Sequence, residues 1–148
     1  MVGVGWEILT EDVSLEKLLA EIAPDERPLH VWMSELIQKR GLDRRTVIKR
    51  SRLNQTFAYQ ILAGTRKASR DKLIQLAFGL QLDADECSEL LERGGVNALT
   101  CRIRRDVIIA FCLCRGLGID RCDDLLWAAG EQTVIAVSPY EARYLAGS

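Results

Sequence analysis

The stretch that decides the fold runs from residue 39 to residue 82 and reads KRGLDRRTVIKRSRLNQTFAYQILAGTRKASRDKLIQLAFGLQL. In it, Asp43, Asn54 and Ser69 each precede a segment whose apolar residues recur at spacings of three and four. Gly41 and Gly64 follow segments of the same kind, where helices commonly end. These patterns predict short helices over residues 43–50, 55–63 and 70–79, with only a few residues between them.

The segments on either side are also predicted to be helical. Ser14 is placed to cap the first of them, Pro28 suits the first turn of the second, and Asp120 is placed to cap the last. A β-like run at 133–137 is too isolated to form a sheet. The fold class is therefore all-α, a compact multi-helix bundle. The predicted outer helices span residues 13–22, 28–40, 83–94, 103–114 and 121–129.

Part of the chain repeats itself. A shift of 35 residues, without a gap, places Arg70-Asp71 on Arg105-Asp106, Ile74 on Ile109, Cys87 on Cys122, Leu90-Leu91 on Leu125-Leu126 and Gly95 on Gly130. The repeat predicts that one helix pair occurs twice, the second packed on the first as a C-terminal helical hairpin. Two copies are too few for a solenoid, and a chance match between two amphipathic hairpins is the alternative.

The net charge of −1 conceals a strong asymmetry along the chain. Residues 39–72 carry eleven basic and two acidic side chains, a balance of +9. Residues 1–38 carry a balance of −6 and residues 73–148 a balance of −4. A segregated basic region is typical of a protein that binds a polyanion. The alternative is a solvated helix face that the acidic ends neutralise.

Composition excludes several classes of protein. The longest apolar run, 107–114, is far below the ~18 residues that a membrane span requires. No basic start followed by an apolar block opens the chain, so we expect a cytoplasmic location. His30 is the single histidine and no Cys-x-x-Cys pair occurs, so we predict no metal, no cofactor and buried cysteines. No catalytic triad, phosphate loop or carboxylate pair is present, so we do not expect an enzyme.

The order of these segments resembles the repressor-type helix-turn-helix family, the XRE-type group of λ repressor and Cro. The resemblance covers about residues 29–92. It is carried by the glycine after the first helix, the glycine and basic residues after the third, and the Ser-capped fourth helix. It implies a λ repressor-like core in which the third helix, 55–63, enters the major groove of double-stranded DNA.

The resemblance also implies which side chains contact DNA. Residues near the start of a groove-inserted helix reach base edges, and Gln can bond adenine bidentately. The candidate base contacts are Gln55, Thr56, Tyr59 and Gln60. The candidate phosphate contacts are Arg44, Arg45, Lys49, Arg52, Arg66, Lys67 and Arg70. For Tyr59 the alternative is a half-buried aromatic at the core boundary, whereas Trp6, Trp32 and Trp127 are expected in the core or an interface.

Four positions depart from the family pattern. Arg52 stands where the turn between the second and third helices usually has a glycine, and Ile48 stands in place of a small alanine. Ser51 replaces an apolar residue, and Leu62 stands where a glutamate is frequent. These departures concern how the third helix is presented to a groove.

We therefore expect a sequence-specific transcriptional regulator that binds DNA as a homodimer. Its predicted parts are an acidic helical extension (1–27), a DNA-binding domain (28–95), a C-terminal helical hairpin (96–130) and a tail (131–148). One alternative is a helical protein–protein adaptor that keeps the helix-turn-helix frame without reading DNA. Another is an antitoxin-like protein that binds DNA and a protein partner through its C-terminal helices.

Overall fold

A computed structural model describes residues 12, 14–21 and 25–135, and in this part of the chain the fold is all-α, with eight helices and no strand. The helices are α1 (Leu15–Glu21), α2 (Leu29–Lys39), α3 (Arg44–Ser51), α4 (Gln55–Ala63), α5 (Arg70–Gly79), α6 (Ala84–Arg93), α7 (Arg104–Cys114) and α8 (Ile119–Ala128). The predicted all-α class is confirmed. The β-like run forms no strand over residues 133–135, and Trp6 and the tail from residue 136 lie outside the described residues.

Side-chain caps begin most of these helices where the sequence predicts them. The carboxylate of Asp43 accepts from the Arg45 amide, the amide oxygen of Asn54 from the Phe57 amide, and the hydroxyl of Ser69 from the Lys72 amide. Asp83 and Glu86 form a reciprocal capping box at the start of α6. Ser14 accepts from the Lys17 amide at 3.2 Å at the start of α1.

The predicted cap of the last helix is wrong. Gly118, in an extended conformation, is the N-cap of α8, and the helix begins at Ile119. Asp120 therefore lies within the first turn, where its carboxylate binds Arg52 instead of a backbone amide.

Helix α5 is the centre of the core. Seven of its ten residues, Leu73 through Gly79, are buried, and it packs against α3 on one side and α6 on the other. α7 then packs on α6 and α8 on α7, so the C-terminal pair extends the same core. Trp32 is buried in this core beneath the guanidinium of Arg93, whose central carbon is 5.2 Å from the ring centroid. Trp127, expected in the core or an interface, is 67% exposed, so it is not a core residue.

The internal repeat is confirmed in three dimensions. Arg70 pairs with Asp106 through both carboxylate oxygens at 3.1 and 2.9 Å, and Arg105 pairs with Asp71 in the same way at 2.9 and 3.1 Å. Each arginine also donates to two backbone carbonyls, and these carbonyls are themselves related by the 35-residue shift: Asn97 and Ala98 for Arg70, Gln132 and Thr133 for Arg105. Equivalent residues therefore tie the two hairpins together reciprocally.

The same helix-to-helix turn joins three helix pairs. In α5–α6 and α7–α8, the residues before Leu82 and Leu117 have positive φ, and those leucine amides donate to carbonyls five residues earlier, at 3.0 and 2.9 Å. The turn between α2 and α3 matches them, with Gly41 at φ 62° and the Leu42 amide donating to the Ile37 carbonyl at 2.9 Å. The chain thus contains this turn a third time, although α2 packs mainly against α4.

The cysteines divide into two groups. Cys87, Cys112 and Cys122 are buried, as expected, whereas Cys101 and Cys114 are exposed. Burial raises the pKa of the Cys87 thiol to about 12, so it remains protonated at neutral pH. None of the helices in the described ranges is long and apolar enough to cross a membrane.

Candidate nucleic-acid interface

The turn between α3 and α4 takes a left-handed conformation at an arginine. Arg52 has φ 61° and ψ 20° and ends α3, and its amide donates to the Lys49 carbonyl at 3.3 Å. Leu53 then enters the core, and Asn54 caps α4. Arg52 therefore adopts the backbone conformation that glycine usually supplies in such turns, although a side chain with a Cβ is disfavoured there.

Ser51, at the end of α3, is fully buried and has its polar groups satisfied. Its hydroxyl donates to the Ile48 carbonyl at 2.7 Å and accepts from the Leu53 amide at 3.4 Å. The carbonyl of Ser51 accepts from Nε2 of the buried Gln75 at 3.0 Å. The serine hydroxyl is thus satisfied by backbone groups of its own turn. The backbone carbonyl has a partner on α5, which sequence reasoning did not identify.

Helices α3 and α5 approach closely because α5 ends in a glycine. A Cβ added to Gly79 would lie 2.4 Å from the Val47 carbonyl oxygen and 3.0 Å from Cβ of Ser51. The small residue that permits a close helix contact is therefore on α5, whereas α3 carries the larger Ile48. Ile48 is 5% exposed and forms the floor of a groove between α3 and α4.

This groove brings five predicted contact residues together. It has a volume of about 420 Å³, and Arg45, Lys49 and Arg52 line it together with Gln55 and Tyr59 at the start of α4. Cationic side chains therefore surround the exposed beginning of a short helix. We call this surface the α3–α4 groove.

The four candidate base-contact residues are presented unequally. Gln55, Thr56 and Tyr59 are exposed, with Tyr59 at 38%, whereas Gln60 is half-buried. The opposite face of α4 is buried and consists of Ala58, Ile61 and Leu62. In the described part of the chain, no side-chain hydrogen bond engages any of the four polar groups, so these groups are available to an external partner.

Five of the seven candidate phosphate-contact residues form no ion pair with a described residue. Arg45, Lys49 and Lys67 are exposed and form no ion pair with a described residue. Arg44 is exposed and donates to the Ser34 hydroxyl at 3.2 Å. The guanidinium of Arg66 lies over the Phe57 ring, with its central carbon 5.3 Å from the centroid.

Two predicted phosphate contacts are held by carboxylates of the C-terminal helices. Arg52 donates to one carboxylate oxygen of Asp120 from Nε at 3.1 Å and from an Nη atom at 2.6 Å, and this hydrogen bonding raises the pKa of Arg52. Arg70 is bound bidentately to Asp106, which is 1% exposed, inside the repeat network. We therefore leave Arg70 out of the proposed interface. Arg52 lines the α3–α4 groove, but its guanidinium is paired with Asp120, so we do not count it among the phosphate contacts.

Gly64 positions the basic loop after α4. Its φ is 79°, and a Cβ there would lie 2.4 Å from Nδ1 of His30, so both backbone and space require glycine. Arg66 and Lys67 follow in this loop and line a shallow depression next to His30. His30 is thus a packing residue at the start of α2.

In comparisons with protein-family models, with curated proteins and with solved structures, none matched this chain.

Proposed function

We propose that the protein is a sequence-specific, DNA-binding transcriptional regulator with a λ repressor-like core formed by α2–α6. The observation that carries the proposal is the α3–α4 groove, where Arg45 and Lys49 flank the exposed Gln55 and Tyr59. In this arrangement, α4 enters the major groove and Gln55, Thr56, Tyr59 and Gln60 read base edges.

The basic side chains around α4 supply affinity and the α4 side chains supply selectivity. Arg44, Arg45 and Lys49 come from α3, and Arg66 and Lys67 from the loop after α4. Each phosphate neutralised releases counterions, giving a slope of about −0.9 in a plot of log affinity against log salt concentration. Five such contacts predict a slope of about −4 to −5 per protomer.

We propose that the regulator is a homodimer that pairs through its C-terminal hairpin. Ile103, the N-cap residue of α7, and Val107 and Phe111 within the helix are spaced by four residues and are 51%, 45% and 47% exposed. Trp127 on α8 is 67% exposed. Large exposed apolar side chains of this kind favour a protein interface, and a symmetric dimer would bind two half-sites about one helical turn apart.

Fluorescence anisotropy with a pool of mixed-sequence duplexes tests DNA binding. We expect binding at low salt that weakens steeply as salt increases, because phosphate contacts supply the affinity. No binding at low salt, or binding that salt does not change, would contradict the proposal and favour a protein–protein adaptor.

Base reading is tested separately, on a duplex selected from that pool. We expect the Gln55→Ala/Gln60→Ala variant to lose about 1–3 kcal/mol of discrimination per lost base contact and to keep its fold. Gln38→Ala is the matched control, because Gln38 is an exposed glutamine near the end of α2, outside the groove. Equal discrimination by the wild type and the double variant would show that α4 does not read bases.

A further inference from the structure

A second cleft lies between the helix-turn-helix region and the C-terminal hairpin. Its volume is about 460 Å³, within the range of small-molecule sites. Phe78, Leu113 and Leu117 contribute apolar surface from α5, α7 and the turn that follows α7. Lys49, Arg50 and Arg52 contribute three cationic side chains against the single carboxylate of Asp120. The cleft therefore combines an apolar surface with an excess of positive charge.

Arg50 indicates where an acceptor would bind. Its Nε atom is buried and has no hydrogen-bond partner among the described residues. A buried donor without a partner is costly, and native proteins generally satisfy such groups with protein atoms, water or a ligand. Because Arg50 lines the cleft, an anion bound there would lie beside a guanidinium whose Nε lacks an acceptor among the described residues.

The start of α8 adds a second group of donors. Gly118 and Ile119 line the cleft, and α8 has no side-chain cap. The first amides of a helix lack intrahelical acceptors and carry partial positive charge. Asp120 binds Arg52 instead of these amides. Arg50 and the neighbouring cations favour an anion in the cleft, and the uncapped start of α8 strengthens this preference.

We propose that this cleft binds a small amphipathic monocarboxylate, such as a medium-chain fatty acid. The carboxylate binds at Arg50 and the start of α8, and the hydrocarbon chain lies on Phe78, Leu113 and Leu117. Of the three cations, Arg52 is paired with Asp120 and Lys49 is exposed to solvent, which leaves Arg50 as the partner for a single carboxylate.

The cleft adjoins the proposed DNA interface, because Lys49 and Arg52 line both the cleft and the α3–α4 groove. A bound carboxylate would attract Lys49 away from a phosphate and would compete with Asp120 for Arg52. The ligand is thus expected to weaken DNA binding. This regulatory step rests on the proposed DNA-binding function, whereas ligand binding itself does not.

An NMR titration of the full chain with octanoate, in the absence of DNA, tests the site. We expect shifts concentrated at the amides of Gly116, Gly118 and Ile119, and a much smaller response to octanol, which lacks the charge. Arg50→Met keeps a long apolar stem and should weaken octanoate binding about tenfold or more, because it removes a charged hydrogen-bond donor. The matched control Arg102→Met, at an exposed arginine outside the cleft, should bind octanoate like the wild type.

A second variant, expected to tighten octanoate binding, distinguishes a specific loss of binding from a loss of folding. Asp120→Asn removes the competing carboxylate and should tighten octanoate binding, by up to about fivefold for an exposed pair. Equal binding of octanol and octanoate, or shifts confined to α7 residues around Phe111, would overturn the proposal. So would unchanged affinity in both cleft variants. Because no DNA is present, this outcome is separate from a failure of DNA binding.

Discussion

Ser51 and Arg52 hold the turn between α3 and α4 in place through contacts with distant parts of the chain. Ser51 is tied to Gln75 on α5, and Arg52 to Asp120 on α8. The left-handed backbone at Arg52 is maintained although its side chain carries a Cβ. A turn that is unfavourable locally is therefore supported by tertiary contacts, and these contacts fix how α4 leaves α3.

Gly79 provides the sharpest test of this packing. We expect Gly79→Ala to destabilise the protein by about 1–3 kcal/mol, because the added methyl group would overlap the Val47 carbonyl in a packed core. Urea denaturation followed by circular dichroism measures the effect.

Gly118→Ala is the control for Gly79→Ala, since a Cβ at Gly118 meets nothing within 4 Å and its φ is negative. An alanine at residue 79 that leaves the free energy of unfolding unchanged would show that α3 and α5 are not in this close contact.

The helix hairpin occurs twice in this chain, as α5–α6 and as α7–α8. Reciprocal ion pairs join these two copies. The two carboxylates differ in burial: the Asp106 side chain is 1% exposed and also accepts from the Thr100 amide at 3.1 Å, whereas the Asp71 side chain is 34% exposed. We therefore expect the two equivalent ion pairs to contribute unequally to the free energy of unfolding.

This difference predicts unequal costs of two equivalent substitutions. Asp106→Asn should cost about 3 kcal/mol, because the buried carboxylate accepts from both Arg70 and the Thr100 amide, and an amide nitrogen in its place would face one of these donors. Asp71→Asn should cost about 1 kcal/mol, because water can reach that site. The free energies of unfolding in urea measure both. Equal costs, or a larger cost for Asp71→Asn, would contradict the observed arrangement.

Helix positions could be predicted from the sequence wherever the signal was local. Asp43, Asn54, Ser69 and Asp83 cap the helices that they precede, because a cap depends on a few neighbouring residues. The local signal fails for Asp120, because α8 begins earlier, after Gly118, and the carboxylate binds a partner 68 residues away that a local pattern does not show. The same limit explains why the sequence did not show the hydrogen bond between Ser51 and Gln75.

The candidate site was predictable in part. The sequence identifies the exposed start of α4 and the basic residues around it, since the amphipathic pattern and the charge clustering are local features. It does not separate Arg70, which is held inside the fold, from Arg45 and Lys49, which have no partner among the described residues. The internal repeat did indicate a structural role for Arg70, because Arg70-Asp71 and Arg105-Asp106 are equivalent in it.

The whole molecule combines an α3–α4 groove rich in cations with an exposed apolar stripe on α7. We expect Val107→Glu to abolish the proposed dimer, because it places a charge in the centre of that stripe. Sedimentation velocity should then show a monomer where the wild type sediments as a dimer.

Gln38→Glu on α2 introduces the same charge at an exposed position outside the C-terminal hairpin, and it should leave the sedimentation coefficient unchanged. If Val107→Glu and the wild type sediment identically, the stripe is not the dimer interface.

The central claim is that DNA phosphates bind at the α3–α4 groove and the loop after α4, and salt dependence tests it most directly. Two double variants remove the same charge: Arg45→Gln/Lys67→Gln within the proposed interface, and Arg102→Gln/Arg121→Gln at exposed positions outside the groove. The first should reduce the slope of log affinity against log salt concentration by about 2 per protomer, and the second should leave the slope at the wild-type value. Equal slopes for the two double variants, or no binding of DNA by the wild type, would contradict the claim.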